Sequence, residues 1–186
     1  MAVTPYTIFS VFPSGGDPLI RAWTKFREEI QAGSLRQERA AAVAVPDSTF
    51  DLTVDVDAVM ERSGESGIWR LLASNNREIA RSSFLYRSFL SAREHLLRLQ
   101  PQAGEMVTNV VQGSKAGTHG WYVSLRGVTV MTCSRWYCTA TVSREAAAAA
   151  VLMFARATVA DLPGRSSRSV DRARLVRPAI GDGQLR

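Results

Sequence analysis

Residues 67–86 contain Gly67-Ile68-Trp69-Arg70-Leu71-Leu72-Ala73, then Asn75-Asn76, then Glu78-Ile79-Ala80-Arg81-Ser82-Ser83-Phe84-Leu85-Tyr86. Residues 120–137 contain Gly120-Trp121-Tyr122-Val123-Ser124-Leu125, then Arg126-Gly127, then Val128-Thr129-Val130-Met131-Thr132-Cys133-Ser134-Arg135-Trp136-Tyr137. Laying Ser83-Phe84-Leu85-Tyr86 over Ser134-Arg135-Trp136-Tyr137 gives an offset of 51 residues. Both stretches open on an aromatic-led strand, turn at residues that tolerate positive φ, and return as a second strand. A helical pattern follows each, from Ser88 to Gln100 and from Ser143 to about Ala160. Ser88 (or Ser91) and Ser143 are the expected N-caps, and Pro101 and Pro163 lie beyond the helix ends. Phe89, Ala92, Leu96 and Leu99 share one face of the first helix. Ala146, Ala150, Met153 and Ala157 share one in the second, with Val151 and Phe154 beside it.

A single ββα unit cannot cover its own apolar face, because an isolated hairpin is marginal in water. Two copies can join strands in one antiparallel sheet with both helices on one side. The fold class expected is therefore α+β, with residues 67–100 as repeat one and residues 120–160 as repeat two. Residues 1–66 form an N-terminal strand–helix–strand extension in this reading. Tyr6 to Phe12 is rich in aromatic and β-branched residues and predicts a strand. Asp17-Pro18 starts a helix whose apolar face is Leu19, Ile20, Trp23, Phe26 and Ile30, with Gly33 as its expected stop. Phe50 to Val59 alternates Phe, Leu, Val, Val and Ala with Asp51, Thr53, Asp55 and Asp57, which predicts a second strand. The N-terminal strands and helix would extend the same layer as the repeats. Residues 1–160 thus make a single domain, and residues 161–186 a flexible basic tail.

The string from Trp69 to Ser82, with Tyr86-Arg87-Ser88 and a helix bearing Ala92, resembles the YegP-like repeat. That repeat reads as an aromatic-led strand, an Asn-Gly turn, a strand ending in Ser, a Tyr and an Ala-bearing helix. The resemblance covers about residues 67–157, closely over 67–100 and more loosely over 120–157. Here Asn76 stands at the usual Gly, and the second copy turns at Arg126-Gly127 in a shorter hairpin. The resemblance implies tandem ββα repeats in an α+β sandwich. It implies no established activity and no catalytic residue.

Composition excludes several classes. The longest run without polar residues in the C-terminal half, Ala146 to Ala155, is too short to span a bilayer, so no membrane association is expected. The N-terminus lacks a cationic start before an apolar stretch, so a cytoplasmic location without a secretory signal is expected. Two cysteines build neither a disulfide framework nor a four-cysteine zinc site. Net charge is +6, unevenly spread: residues 1–66 carry six basic and ten acidic residues, and residues 67–100 carry six and two. Of the 23 basic residues only Lys25 and Lys115 are Lys. Arg suits bidentate contacts with carboxylate or phosphate, although Arg and Ala together are also the mark of a GC-rich genome.

No catalytic set emerges. Asp51, Asp55 and Asp57 share a strand face, and a hard cation takes oxygen ligands, but nothing nearby completes a site. Cys133 and Cys138 are not a C-x-x-C pair and are expected to be buried free thiols. Gly113 to Gly120 departs from a P-loop and reads as a flexible connection. No cofactor and no metal are expected. The first expectation for function is a non-enzymatic interaction module that assembles with itself or as a subunit or accessory factor of a larger complex, because sheet edges invite pairing. The alternative is a nucleic-acid or ribonucleoprotein-associated protein. Its candidate binding residues are Arg70, Arg77, Arg81 and Arg87, near the aromatics Trp69, Tyr86, Trp121 and Tyr137. Arg165, Arg168, Arg172, Arg174 and Arg177 of the tail complete the set.

Overall fold

The computed structural model describes residues 4–12, 17–42 and 66–162. The predicted strand at Phe50–Val59, the acids on it and the basic tail from residue 163 lie outside the described residues. The described chain is α+β and builds one seven-stranded mixed sheet. In sequence it runs β1 (Tyr6–Phe12), α1 (Pro18–Ala42), β2 (Ser66–Leu72), β3 (Glu78–Ser82) and α2 (Phe89–Leu99). A 3-10 helix (Gln100–Glu105), β4 (Val107–Gln112), β5 (His119–Leu125), β6 (Val128–Cys133), α3 (Ala140–Ala155) and β7 (Thr158–Val159) follow. The spatial order is β4-β5-β6-β3-β2-β1-β7. All neighbours are antiparallel except β1 and β7, which are parallel.

The two repeats correspond residue by residue. Isolated bridges Gly67–Tyr86 and His119–Tyr137 close each unit at the same place. Register shifts fall between Leu71 and Leu72 and between Val123 and Ser124. Trp69 and Trp121 occupy equivalent positions and are 2% and 0% exposed. The turns differ by one residue. Arg126 and Gly127 both have positive φ, as a two-residue type I′ turn requires, whereas the longer first turn places only Asn76 there. Each unit is larger than the ββα expected. β1 pairs with β2 as β4 pairs with β5, so each is a three-stranded meander followed by a helix. The units meet antiparallel along β3 and β6, with Ala80 opposite Cys133, Arg81 opposite Thr132 and Ser82 opposite Met131. The 51-residue offset maps this set of pairs onto itself, so Arg81 and Thr132 sit on a local two-fold axis.

The helices divide between faces. On β2, Ile68 clusters with Ile20 and Trp23 of α1, while the next residue, Trp69, stacks near Phe154 of α3 with centroids 5.5 Å apart. Successive strand residues point to opposite faces. Phe9, opposite Trp69, meets Phe89 of α2. The repeat helices α2 and α3 thus share one face, as expected, and α1 lies on the other rather than extending their layer.

Three local expectations need correction. Helix α1 runs through Gly33 to Ala42 instead of stopping there. A Cβ at Gly33 would lie 2.9 Å from the Gln112 carbonyl oxygen and 3.0 Å from Val111 Cβ, so the missing side chain lets the helix approach β4 closely. Thr139, not Ser143, caps α3: its Oγ1 accepts from the Val142 N–H at 3.2 Å. Ser143 is buried one turn inside, on a face with Ala147, Ala150 and Phe154 rather than Ala146. Residues 113–118, expected as a connection between repeats, form the β4–β5 turn within the second unit. There Gly113 N–H donates to the Thr118 carbonyl at 2.8 Å. In the first helix the expected cap holds, with Ser88 Oγ accepting from Ser91 N–H.

Candidate interaction surface

The four predicted arginines of the first repeat do not converge. Arg70 and Arg81 face each other across β2 and β3 and share one carboxylate. Arg70 Nε donates to Glu78 Oε2 at 2.7 Å, and Arg81 Nε to Glu78 Oε1 at 2.6 Å. The Arg81 guanidinium also lies over the Phe26 ring of α1, 6.0 Å from its centroid. Among the described residues the partner of this pair is therefore Glu78 of β3. Arg77 is exposed in the β2–β3 turn and Arg87 is exposed ahead of α2. Arg165, Arg168, Arg172, Arg174 and Arg177 lie outside the described residues. Trp69, Tyr86, Trp121 and Tyr137 are all buried, so they offer no stacking platform to bases.

Buried polar groups differ between the units. Trp69 Nε1–H donates to Tyr86 Oη at 3.1 Å, and Tyr86 Oη lies 2.7 Å from His95 Nδ1. Indole nitrogen only donates, so the hydroxyl accepts from it, while the direction of the bond to His95 follows the histidine tautomer. Burial holds the imidazole below its usual pKa, and the nearby Arg98 adds to that. Burial also pushes the Tyr86 hydroxyl well up, against the opposing Trp69 hydrogen bond. In the second unit Tyr137 matches Tyr86, but Ala146 stands at the place of His95 and Ser143 at that of Ala92. Trp121 Nε1 and Ser143 Oγ have no hydrogen-bond partner among the described residues.

Cys133 is buried as expected, whereas Cys138 is exposed. Burial pushes the Cys133 thiol up to about 11, and its sulfur accepts from Trp121 N–H at 3.3 Å. A thiol held neutral in this way is a poor nucleophile.

The feature that sequence reading missed is β4. It is an edge strand, and among the described residues no strand pairs with its outer side. The opposite edge is closed by β7, only two residues long. β4 is different: Val107-Thr108-Asn109-Val110-Val111-Gln112 pairs with β5 in unbroken register over six residues. It carries no charge and no proline, the devices that blunt exposed edges. Val107 is 56% exposed. The Gly113–Thr118 bond fixes which groups face out, because antiparallel pairs alternate between bonded and unbonded. Val107, Asn109 and Val111 bond inward to β5, and Thr108, Val110 and Gln112 present N–H and C=O outward. The Gln112 carbonyl confirms the direction, since it accepts at 3.4 Å from Arg36 of α1 instead of from β5. Helices α1 and α3 pack on β4 from either face. The β-branched content of residues 107–111 was the available signal, but without alternation it did not mark a strand.

No family model matches this chain, and no curated protein matches it. Among solved structures it is similar to the solution NMR structure of yegP, a protein of unknown function from E. coli. The two are 19% identical with a TM-score of 0.40, over 55% of this chain and 85% of that chain. At that identity and score the likeness brings neither a family nor an activity to this protein. No helix among the described residues is long and apolar enough to cross a membrane.

Proposed function

We propose that this protein is a non-enzymatic assembly module whose working surface is the outer edge of β4. The carrying observation is an uncharged, proline-free edge strand whose Thr108 and Val110 backbone groups face outward with no described strand beside them, the Gln112 carbonyl being met by Arg36 of α1. Such an edge binds an extended segment through main-chain hydrogen bonds, with side chains supplying selectivity. The titratable groups of the core support the non-enzymatic reading. The Cys133 thiol is held protonated, and His95 is committed to Tyr86. The nucleic-acid alternative has less behind it, because Glu78 already engages Arg70 and Arg81 and the aromatics are interior.

The test is a photo-crosslinking residue placed at Val107 in the full chain, with exposed Leu90 of α2 as control. In an extract of the source cells, Val107 is expected to give discrete protein adducts that vanish when Val110→Pro is added. Adducts equally strong from Leu90, or none from Val107, would refute the edge as the working surface.

A further inference from the structure

A small cavity lies between α2 and the β1–β7 edge, at the opposite end of the sheet from β4. Phe9 and Trp69 of the sheet, Phe89 and Ala92 of α2 and Val159 of β7 line it. The lining is almost wholly apolar, and the space has room for about one water-sized group. An apolar space of that kind stays dry, yet it accepts a methyl or methylene group. Arg93 of α2 is its one charged lining residue.

Only half of the Arg93 fork is in use. Nη2 pairs with Asp161 Oδ1 at 2.9 Å, on a carboxylate that is 86% exposed. Nε is buried and has no hydrogen-bond partner among the described residues. Nε and Nη2 together make the fork that a carboxylate engages with both its oxygens. Asp161 thus meets one prong and leaves a buried donor unsatisfied, which costs more than an exposed ion pair returns.

We propose that this is a binding site for a short aliphatic carboxylate, which takes both prongs of Arg93 and places its alkyl end in the cavity. Asp161 is then a resident competitor, carried to Arg93 by β7. That strap is lightly fastened. β7 pairs with β1 over two residues only, where the Thr158 and Ala160 N–H groups donate to the Pro5 and Thr7 carbonyls at 3.0 and 3.2 Å. The volume sets the chain length: a space of one group seats the end of a chain of about two to four carbons and excludes an aromatic ring. The site owes nothing to the β4 edge, so either reading can fail without the other.

NMR titration of the full chain with sodium propionate, near neutral pH and at fixed ionic strength, tests this. The signals to follow are the indole N–H of Trp69 and Trp121 and the Nε–H of Arg93. Saturable shifts at Trp69 and Arg93 are expected, with Kd in the millimolar range, while Trp121 stays in place. Asp161→Asn removes the competing charge and should tighten binding about threefold. Arg93→Gln should abolish it. Formate, with no alkyl group to bury, should bind about fourfold more weakly or worse. Circular dichroism and melting confirm that each variant is folded, and the wild-type and Asp161→Asn titrations decide even where Arg93→Gln does not fold. No saturable shift at Trp69, an equal shift at Trp121, or formate as tight as propionate overturns the proposal. So does Asp161→Asn binding no tighter than the wild type, or a folded Arg93→Gln that still binds.

Discussion

Replacing Tyr86 with Phe removes one oxygen and almost no volume. That oxygen is the middle of a relay between Trp69 and His95. Trp69 is fully interior, so its indole N–H would lose its acceptor where water cannot replace it. A buried donor left unpaired costs about 1–3 kcal/mol. His95 is partly exposed and can take a water in exchange, which adds little. The expected loss for Tyr86→Phe is therefore about 2 kcal/mol, or a fall in Tm of about 4–8 °C for a chain of this size. Tyr137→Phe in the second unit is the matched control. Its hydroxyl accepts nothing from Trp121, whose Nε1 is already without a partner. The control should cost less than about 0.5 kcal/mol. Urea unfolding followed by tryptophan fluorescence measures both. Losses that agree to within 0.5 kcal/mol or so would show that the relay carries no stability of its own, and would refute the reasoning.

Trp69→Ala and Trp121→Ala should each destabilise by about 3–5 kcal/mol in the same assay, since both side chains are interior. Unchanged melting in either would contradict its burial. Stability should also fall on mild acidification. The pKa of folded His95 is depressed below the ordinary 6.5, so the unfolded chain binds the proton more readily and stability declines as pH drops through that value. His95→Gln keeps an acceptor for Tyr86 without the titration, and its melting temperature should vary less between about pH 7.5 and 5. Gly33→Ala improves intrinsic helix propensity, yet its Cβ would press on the Gln112 carbonyl and Val111. The clash should dominate, with a loss of about 1–3 kcal/mol by thermal melting. A stabilised Gly33→Ala would show that α1 does not rest closely on β4.

What could be read from sequence was governed by whether a residue's local pattern matched its tertiary role. The hairpins were legible because Asn75-Asn76 and Arg126-Gly127 carry turn chemistry that tertiary packing cannot supply. Tyr6 to Phe12 was legible for the same kind of reason, as β-branched and aromatic residues favour a pleated strand. Gly33 misled because glycine has two uses. It ends helices by its conformational freedom, and it also admits a neighbouring backbone, which here is β4. Ser143 misled because serine is a cap only when its side chain meets a free N–H, and Thr139 stands four residues earlier in that place. β4 was not legible because both its faces are packed, by α1 and α3, which removes the alternation that marks a half-buried strand. The Arg cluster was seen as a list, but only register shows that Glu78 lies between Arg70 and Arg81.

The same duplication that made the fold readable also shows where the two halves have parted. Equivalent tryptophans fill equivalent positions, yet only the first finds a hydrogen-bonded partner. Helix α1 lies in the first meander, between β1 and β2, and has no counterpart between β4 and β5. It then crosses beneath the local two-fold axis, from Phe12 and Ile68 at one end, past Phe26 against Trp136, to Gly33 against β4. An inserted helix that clamps both units makes their relative placement depend on more than the β3–β6 ladder. It also brings a packed, uncharged strand to the rim of the sheet, supported from both faces and paired on one side. Under the proposed function an incoming strand would meet a backbone that is already extended, which keeps the ordering cost on this side small. The asymmetry between the units thus extends to the sheet edges, where β1 is covered by β7 and β4, among the described residues, is paired on one side alone.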